Sequence, residues 1–230
     1  MRSLLTFLSF LALSGAARGQ GIAAATYAEP TGRYDHGVLG DAVEWGALRL
    51  DLVDGTSRLI RLGETRVFED IAPRLIRDAD GAALAMVVES DLAKGARLAL
   101  YDAAGPVAAT PFIGQSHRWL APVGAGDLDG DGRIEIAYVD RPHLARTLRI
   151  WRFDGGALTE VAAYAGVTNH QIGWDFIAGG LRDCGAGPEM VLASADWTRL
   201  LALRFDGQAF ASADLGPWSR PASEAALACR

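Results

Sequence analysis

One lysine, Lys94, stands among the 22 basic residues of this 230-residue chain, whose formal net charge is −6. That balance excludes a general nucleic-acid binder, which needs a basic surface to neutralise phosphates. Cysteine is scarce too, with Cys184 and Cys229 the two in the chain. Neither lies near the N-terminus, which excludes a lipid anchor on a processed N-terminal cysteine. After Leu4–Leu13 no long apolar run occurs, and that one is far short of the roughly 20 residues a membrane-spanning helix needs. A nucleophile elbow, a His-Glu-x-x-His metal site and a Cys–His pair are all missing, so the usual sequence signs of hydrolytic catalysis are absent. Helical periodicity is almost absent as well.

What is present begins with an export signal. Arg2 precedes the apolar run, and the small residues Ser14, Gly15, Ala16 and Ala17 follow it. Residues 1–19 are therefore expected to be a signal peptide and the mature chain to be a periplasmic or secreted monomer without a membrane span. In an oxidising compartment the even pair Cys184 and Cys229 is expected to form a disulfide, pinning a C-terminal tail of residues 218–230. Half of the residues are hydrophobic, enough for a sizeable core without further staples.

The body, residues 20–217, carries an internal repeat. Alternating apolar residues run into a turn at Asp54-Gly55, Asp102-Ala103, Asp154-Gly155 and Asp206-Gly207, with intervals of 48, 52 and 52 residues. Asp-Gly chemistry tolerates the positive φ of a tight hairpin. Two further strands are expected before each turn: Phe68–Ile76 and Leu84–Val88 in the second unit, Trp119–Gly126 and Ile134–Val139 in the third, Trp174–Gly180 and Met190–Ala193 in the fourth. The first unit reads least clearly, as Ile22–Tyr27 and Tyr34–Leu39 around Pro30–Arg33. Four strands per repeat is the pattern of a β-propeller, in which each small sheet buries its faces against its neighbours. The expected fold is all-β, a small propeller of four blades of four antiparallel strands, with repeats at roughly 20–66, 67–116, 117–169 and 170–217. A fifth blade stays open, because Gly37–Leu52 can be cut differently.

Residues Asp127-Leu128-Asp129-Gly130-Asp131-Gly132-Arg133-Ile134-Glu135 form the one specific chemical motif. Carboxylates at positions 1, 3 and 5 of a tight loop converge, Gly130 and Gly132 permit the turn, and the Arg133 carbonyl with the Glu135 carboxylate completes an oxygen cage. Oxygen-only ligation suits Ca²⁺ over zinc or copper. An EF-hand does not fit, since Tyr138 stands where that loop needs Glu and both flanks read as strands. Three aspartates beside Gly124 and Gly126 would repel a phosphate.

On this segment the chain resembles the FG-GAP/VCBS family of extracytoplasmic propeller repeats, whose calcium loop joins the first two strands of a blade, and Phe153-Asp154-Gly155 is similar to the family's later turn. The resemblance covers the third unit well and the others in outline. It implies a propeller, Ca²⁺ in the loop and a role in adhesion or recognition. The second unit keeps Asp78 and Asp80 of the acidic ladder, the fourth keeps Asp183 and Glu189, and the first keeps none. One calcium is therefore expected.

His117 and His170 precede the first strands of successive units, close to Trp119 and Trp174. They suit either a ligand site at a channel mouth or blade packing, and both readings stay open. The function expected is a calcium-stiffened binding module for a protein or glycan partner. The alternative is a hydrolytic or carbohydrate-active enzyme, with its site at the channel mouth and carboxylates about 5 to 10 Å apart.

Overall fold

The computed structural model describes residues 21–230, so the signal peptide expected over residues 1–19 lies outside the described part. The chain is all-β, made of antiparallel sheets, with one short helix among the described residues. The first unit holds β1 (Ile22–Thr31), β2 (Glu44–Leu52) and β3 (Ser57–Arg61), followed by a three-residue strand β4 (Arg66–Phe68). The second holds β5 (Arg74–Arg77), β6 (Ala83–Asp91), β7 (Gly95–Asp102) and β8 (Gly105–Ala109). The third holds β9 (Leu120–Gly126), β10 (Ile134–Asp140), β11 (Thr147–Asp154) and β12 (Ala157–Ala165). After β13 (Val167–Thr168), the fourth holds β14 (Gly180–Asp183), β15 (Pro188–Ser194), β16 (Arg199–Phe205) and β17 (Phe210–Pro217), and α1 (Arg220–Leu227) closes the chain.

All four repeated turns close hairpins: β2–β3, β7–β8, β11–β12 and β16–β17. At three of them the aspartate carboxylate accepts the N–H two residues on, from Thr56 at 2.9 Å, Ala104 at 2.7 Å and Gln208 at 2.9 Å. This side-chain turn fixes the hairpin locally.

Elsewhere the strands differ from expectation. The first and second units share an eight-stranded sheet, because β4 pairs with β6 at three positions and with β2 at Trp45↔Phe68. The third and fourth units make separate four- and five-stranded sheets. The stretch Phe68–Ile76 is broken by Pro73 and by the buried turn at Glu69 and Asp70, leaving β4 and β5 in its place. Trp174–Gly179 forms no strand: Gly173 and Gly179 take φ of +88° and +79°, and the fourth unit starts its sheet at Gly180. Tyr34–Leu39 forms none either, since β1 runs on to Thr31 and pairs directly with β2. The tail expected at residues 218–230 contains α1, whose N-terminal Ala222 N–H is capped by the Ser219 hydroxyl at 3.2 Å.

Period-two alternation on doubly buried strands builds the core. Met86 and Val88 of β6 enter one apolar cluster with Leu98, Leu100, Trp119, Ile136 and Tyr138, while Val87 enters another with Leu48, Leu50 and Phe68. Likewise, Ile136 and Tyr138 of β10 face the second unit, while Ala137 and Val139 face Leu192, Leu203 and Phe205 of the fourth. Successive units therefore stack face to face. On β15, Val191 points away from that stack and packs with Leu200, Ala226 and Leu227, so α1 covers the free face of the fourth unit.

Candidate functional site

The acidic loop lies between β9 and β10, whose pairing of Glu135 with Gly126 pins its base. Asp127 draws the loop onto itself by accepting the N–H groups of Gly130 at 2.7 Å and Gly132 at 3.0 Å. Both glycines take φ above +80°, where side chains are strained. Asp127, Asp129 and Glu135 each offer a carboxylate oxygen, and the three oxygens lie within 4.8 Å of one another. Glu135 is fully buried and accepts the Leu128 N–H at 2.9 Å.

Two of the expected ligands make side-chain contacts of their own. Asp131 lies outside the trio and is held by the Arg133 guanidinium at 2.5 Å, which keeps its carboxyl down at about 2. Arg133 thus enters through its side chain. Sequence reasoning also missed Arg152, which stands opposite Glu135 across the β10–β11 pair. Its guanidinium reaches Glu135 at 2.7 Å, Asp131 at 3.3 Å, and Asp129. Burial pushes the Glu135 carboxyl up, against the downward pull of Arg152 and the Leu128 N–H. The same cross-strand pair recurs in the fourth unit as Glu189 and Arg204 at 3.0 Å, a repeat-level signal that could have revealed Arg152.

The donor set fits a hard divalent cation. Four carboxylates and two guanidiniums sum to two negative charges when all are ionised. Each carboxylate oxygen has two lone-pair sites, so one hydrogen bond leaves capacity for a metal. Asp127 touches no guanidinium and is the least encumbered ligand. From the fourth unit, the Gly207 turn closes over the loop, and a Cβ there would come within 2.9 Å of Asp129 Oδ2.

The second candidate region lies at the ends of the sheets, where His117, Trp119, His170 and Trp174 are brought together. His117 and Trp119 line one cleft with His36, Arg118, Arg141 and His143. Trp119 meets His170 edge-on at 5.0 Å between ring centres, and His170 lies 6.4 Å from Trp174. Trp174 in turn joins a half-buried aromatic group: it stacks on Phe176 at 4.5 Å and on Trp218 at 5.8 Å, and meets Trp197 edge-on at 5.0 Å. Arg220 stands over the Phe176 ring at 4.0 Å. By sequence Trp197 and Trp218 read as core residues spread through the repeats and Phe176 and Arg220 are not singled out, because loops distant in sequence bring them together.

Three buried acids are already committed. Glu89 is held by Arg66, Arg97 and Tyr101, Asp70 by Arg74, and Glu69 by His36 and Ser90. Glu44 is 3 % exposed, and burial, with Glu69, Asp41 and Asp70 adding to it, pushes its carboxyl up to about 9. Cys184 and Cys229 are disulfide-bonded, tying the end of α1 to the loop after β14. Among the described residues no helix is long and apolar enough to cross a membrane. Compared with known proteins, the chain matches no family model and no curated protein sequence.

Proposed function

We propose that this chain is an exported, calcium-braced β-propeller that acts as a binding module, with a glycan as the partner chemistry its surface suits best. The observation that carries the reading is the half-buried aromatic group of Trp174, Phe176, Trp197 and Trp218. An indole joins apolar carbon surface to an N–H donor, a combination that packs against sugar rings and donates to their hydroxyl oxygens. Binding is favoured over hydrolysis because the buried carboxylates Glu69, Asp70 and Glu89 are held by Arg, Tyr, His and Ser partners.

The propeller reading draws on the four hairpin repeats and the face-to-face stacking of successive units. Further support comes from the Gly173 N–H, which donates to the Val38 carbonyl at 3.1 Å and so links the fourth unit to the first. Ca²⁺ would be held by Asp127, Asp129 and Glu135, and when bound it supplies charge neutralisation and stiffness to one loop. The FG-GAP/VCBS resemblance points the same way for this loop. Export is supported by the disulfide, which persists in oxidising compartments.

Titration of the protein with a panel of oligosaccharides, followed by tryptophan fluorescence, tests the binding reading. A saturable change that is lost in Trp197→Ala is expected. No change with any sugar, or one that Trp197→Ala leaves intact, overturns the glycan assignment.

A further inference from the structure

Asp and Glu (28) outnumber Lys and Arg (22) in this chain, yet one cleft is lined by nitrogen donors. It lies where the β1–β2, β8–β9 and β10–β11 loops meet, has a volume of about 30 Å³ and is lined by His36, His117, Arg118, Trp119, Arg141 and His143. A space of that size admits one small polar group. Trp119 joins the cleft to the aromatic group, since its ring meets His170 at 5.0 Å and His170 lies 6.4 Å from Trp174.

Arg118 meets no carboxylate among the described residues. Its Nη1 donates to the His117 carbonyl at 2.9 Å, which leaves Nε and Nη2 without partners there. Arg141 gives Nε and Nη2 to Asp140 at 2.8 and 2.9 Å and keeps Nη1 unengaged. The carboxylates around the cleft are engaged already: Glu69 by His36 and Ser90, Asp140 by Arg141 and Arg149, and the largely exposed Asp35 by His117 at 3.0 Å. Burial pushes the His143 imidazole down to about 4, and His170, His36 and Arg146 push the same way, the response of a base in a positive field.

The backbone holds this lining in place at a local cost. His117, Arg141 and Arg146 take φ of +55°, +44° and +49°, a left-handed conformation that persists where the surroundings enforce it. The Arg141 N–H bonds the Trp119 carbonyl at 3.0 Å and the Arg146 N–H bonds the Arg141 carbonyl at 3.2 Å, so the β10–β11 loop is fixed before a ligand arrives. We propose that this cleft is the anion subsite of the glycan-binding surface, taking the carboxylate of an acidic sugar on Arg118 with Arg141 beside it. The inference rests on the glycan reading and narrows it to acidic glycans, a neighbouring sugar ring packing on the Trp174 group. A guanidinium fork matches a carboxylate through paired N–H bonds, and both arginines are half-buried, where screening is weaker than at a fully exposed charge.

Trisaccharides of galacturonate, glucuronate and mannuronate, each beside its methyl ester, separate charge from sugar shape in a tryptophan-fluorescence titration. The parent protein is expected to bind at least one uronate about tenfold more tightly than its ester, a margin that added salt narrows. Arg118→Gln should abolish that margin, and Arg77→Gln, at the opposite end of the sheets, should leave it intact. Uronate and ester bound equally overturn the subsite and leave the glycan reading standing. A margin that survives Arg118→Gln places the anion elsewhere and also overturns it. Inorganic sulfate, followed by the Arg118 Nε–H resonance of the unaltered protein, is the arm without sugar. Sulfate that moves this resonance while no sugar binds supports the anion site and removes the glycan reading. A resonance moved by neither sulfate nor uronate refutes the site, even should Arg118→Gln fold poorly.

Discussion

At the scale of single residues, the acidic loop is an ionic knot around Arg152. Glu135 is fully buried, so removing its charge partner leaves a carboxylate with neither water nor cation. Arg152→Ala is expected to destabilise the calcium-free protein by about 3 kcal/mol, the usual cost of orphaning a buried charge. Calcium should restore much of that loss, because it replaces the missing positive charge. Urea unfolding with and without calcium checks both statements, and a calcium-insensitive variant would contradict the second. Gly179 gives a sharper steric case. Its φ is +79° and an added Cβ would lie 2.0 Å from the Val191 carbonyl oxygen, so the neighbouring strand itself must move. Gly179→Ala should cost at least about 2 kcal/mol in denaturant midpoint experiments.

Glu44 makes stability depend on pH in a set direction. Its folded-state pKa of about 9 lies above the usual 4.5, so the native chain keeps a proton there that the unfolded chain releases. The stabilisation it contributes is complete below pH 4.5 and is lost as pH rises toward 9. The slope approaches about 1.4 kcal/mol per pH unit between those limits. Glu44→Gln should flatten that part of the curve, and parallel curves for the two proteins would refute the assignment.

Among the elements, the Asp-Gly hairpins were legible in the sequence because turn chemistry is local: Asp54, Asp102 and Asp206 fix their turns through their own carboxylates. Strands β6, β10 and β15 were legible too, as apolar runs buried on both faces. The first strands of the second and fourth units were not. β4 and β5 are cut by Pro73, and the segment from His170 to Gly179 is shaped by tertiary contacts such as the Ala178 N–H bond to the Asn169 carbonyl at 2.7 Å. In the site, the acid ladder could be read directly, but the partner Arg152 arrives by cross-strand register. The aromatic group likewise depends on how distant loops meet. For α1, the Cys184–Cys229 bond spans 45 residues, and its loss should cost about 4 kcal/mol on the chain-entropy view. Paired Cys184→Ser and Cys229→Ser changes, compared with the parent by calorimetry, measure that cost. A melting temperature unchanged by the double substitution would show that the helix docks without the bond.

At the scale of the whole molecule, the units stack through shared cores, and the acidic loop sits where the third unit meets the Gly207 turn of the fourth. A cation held there would tie two units together. With a dissociation constant near 10⁻⁴ M and about 1 mM free calcium, ligand linkage gives roughly 1.4 kcal/mol of stabilisation, a brace and not a condition of folding. Thermal melting with calcium and with chelator, for the parent protein beside Asp129→Ala, tests this most directly. A melting temperature that calcium raises in the parent and leaves unmoved in Asp129→Ala is the predicted result. A parent protein indifferent to chelator, or a variant that responds as the parent does, would contradict it.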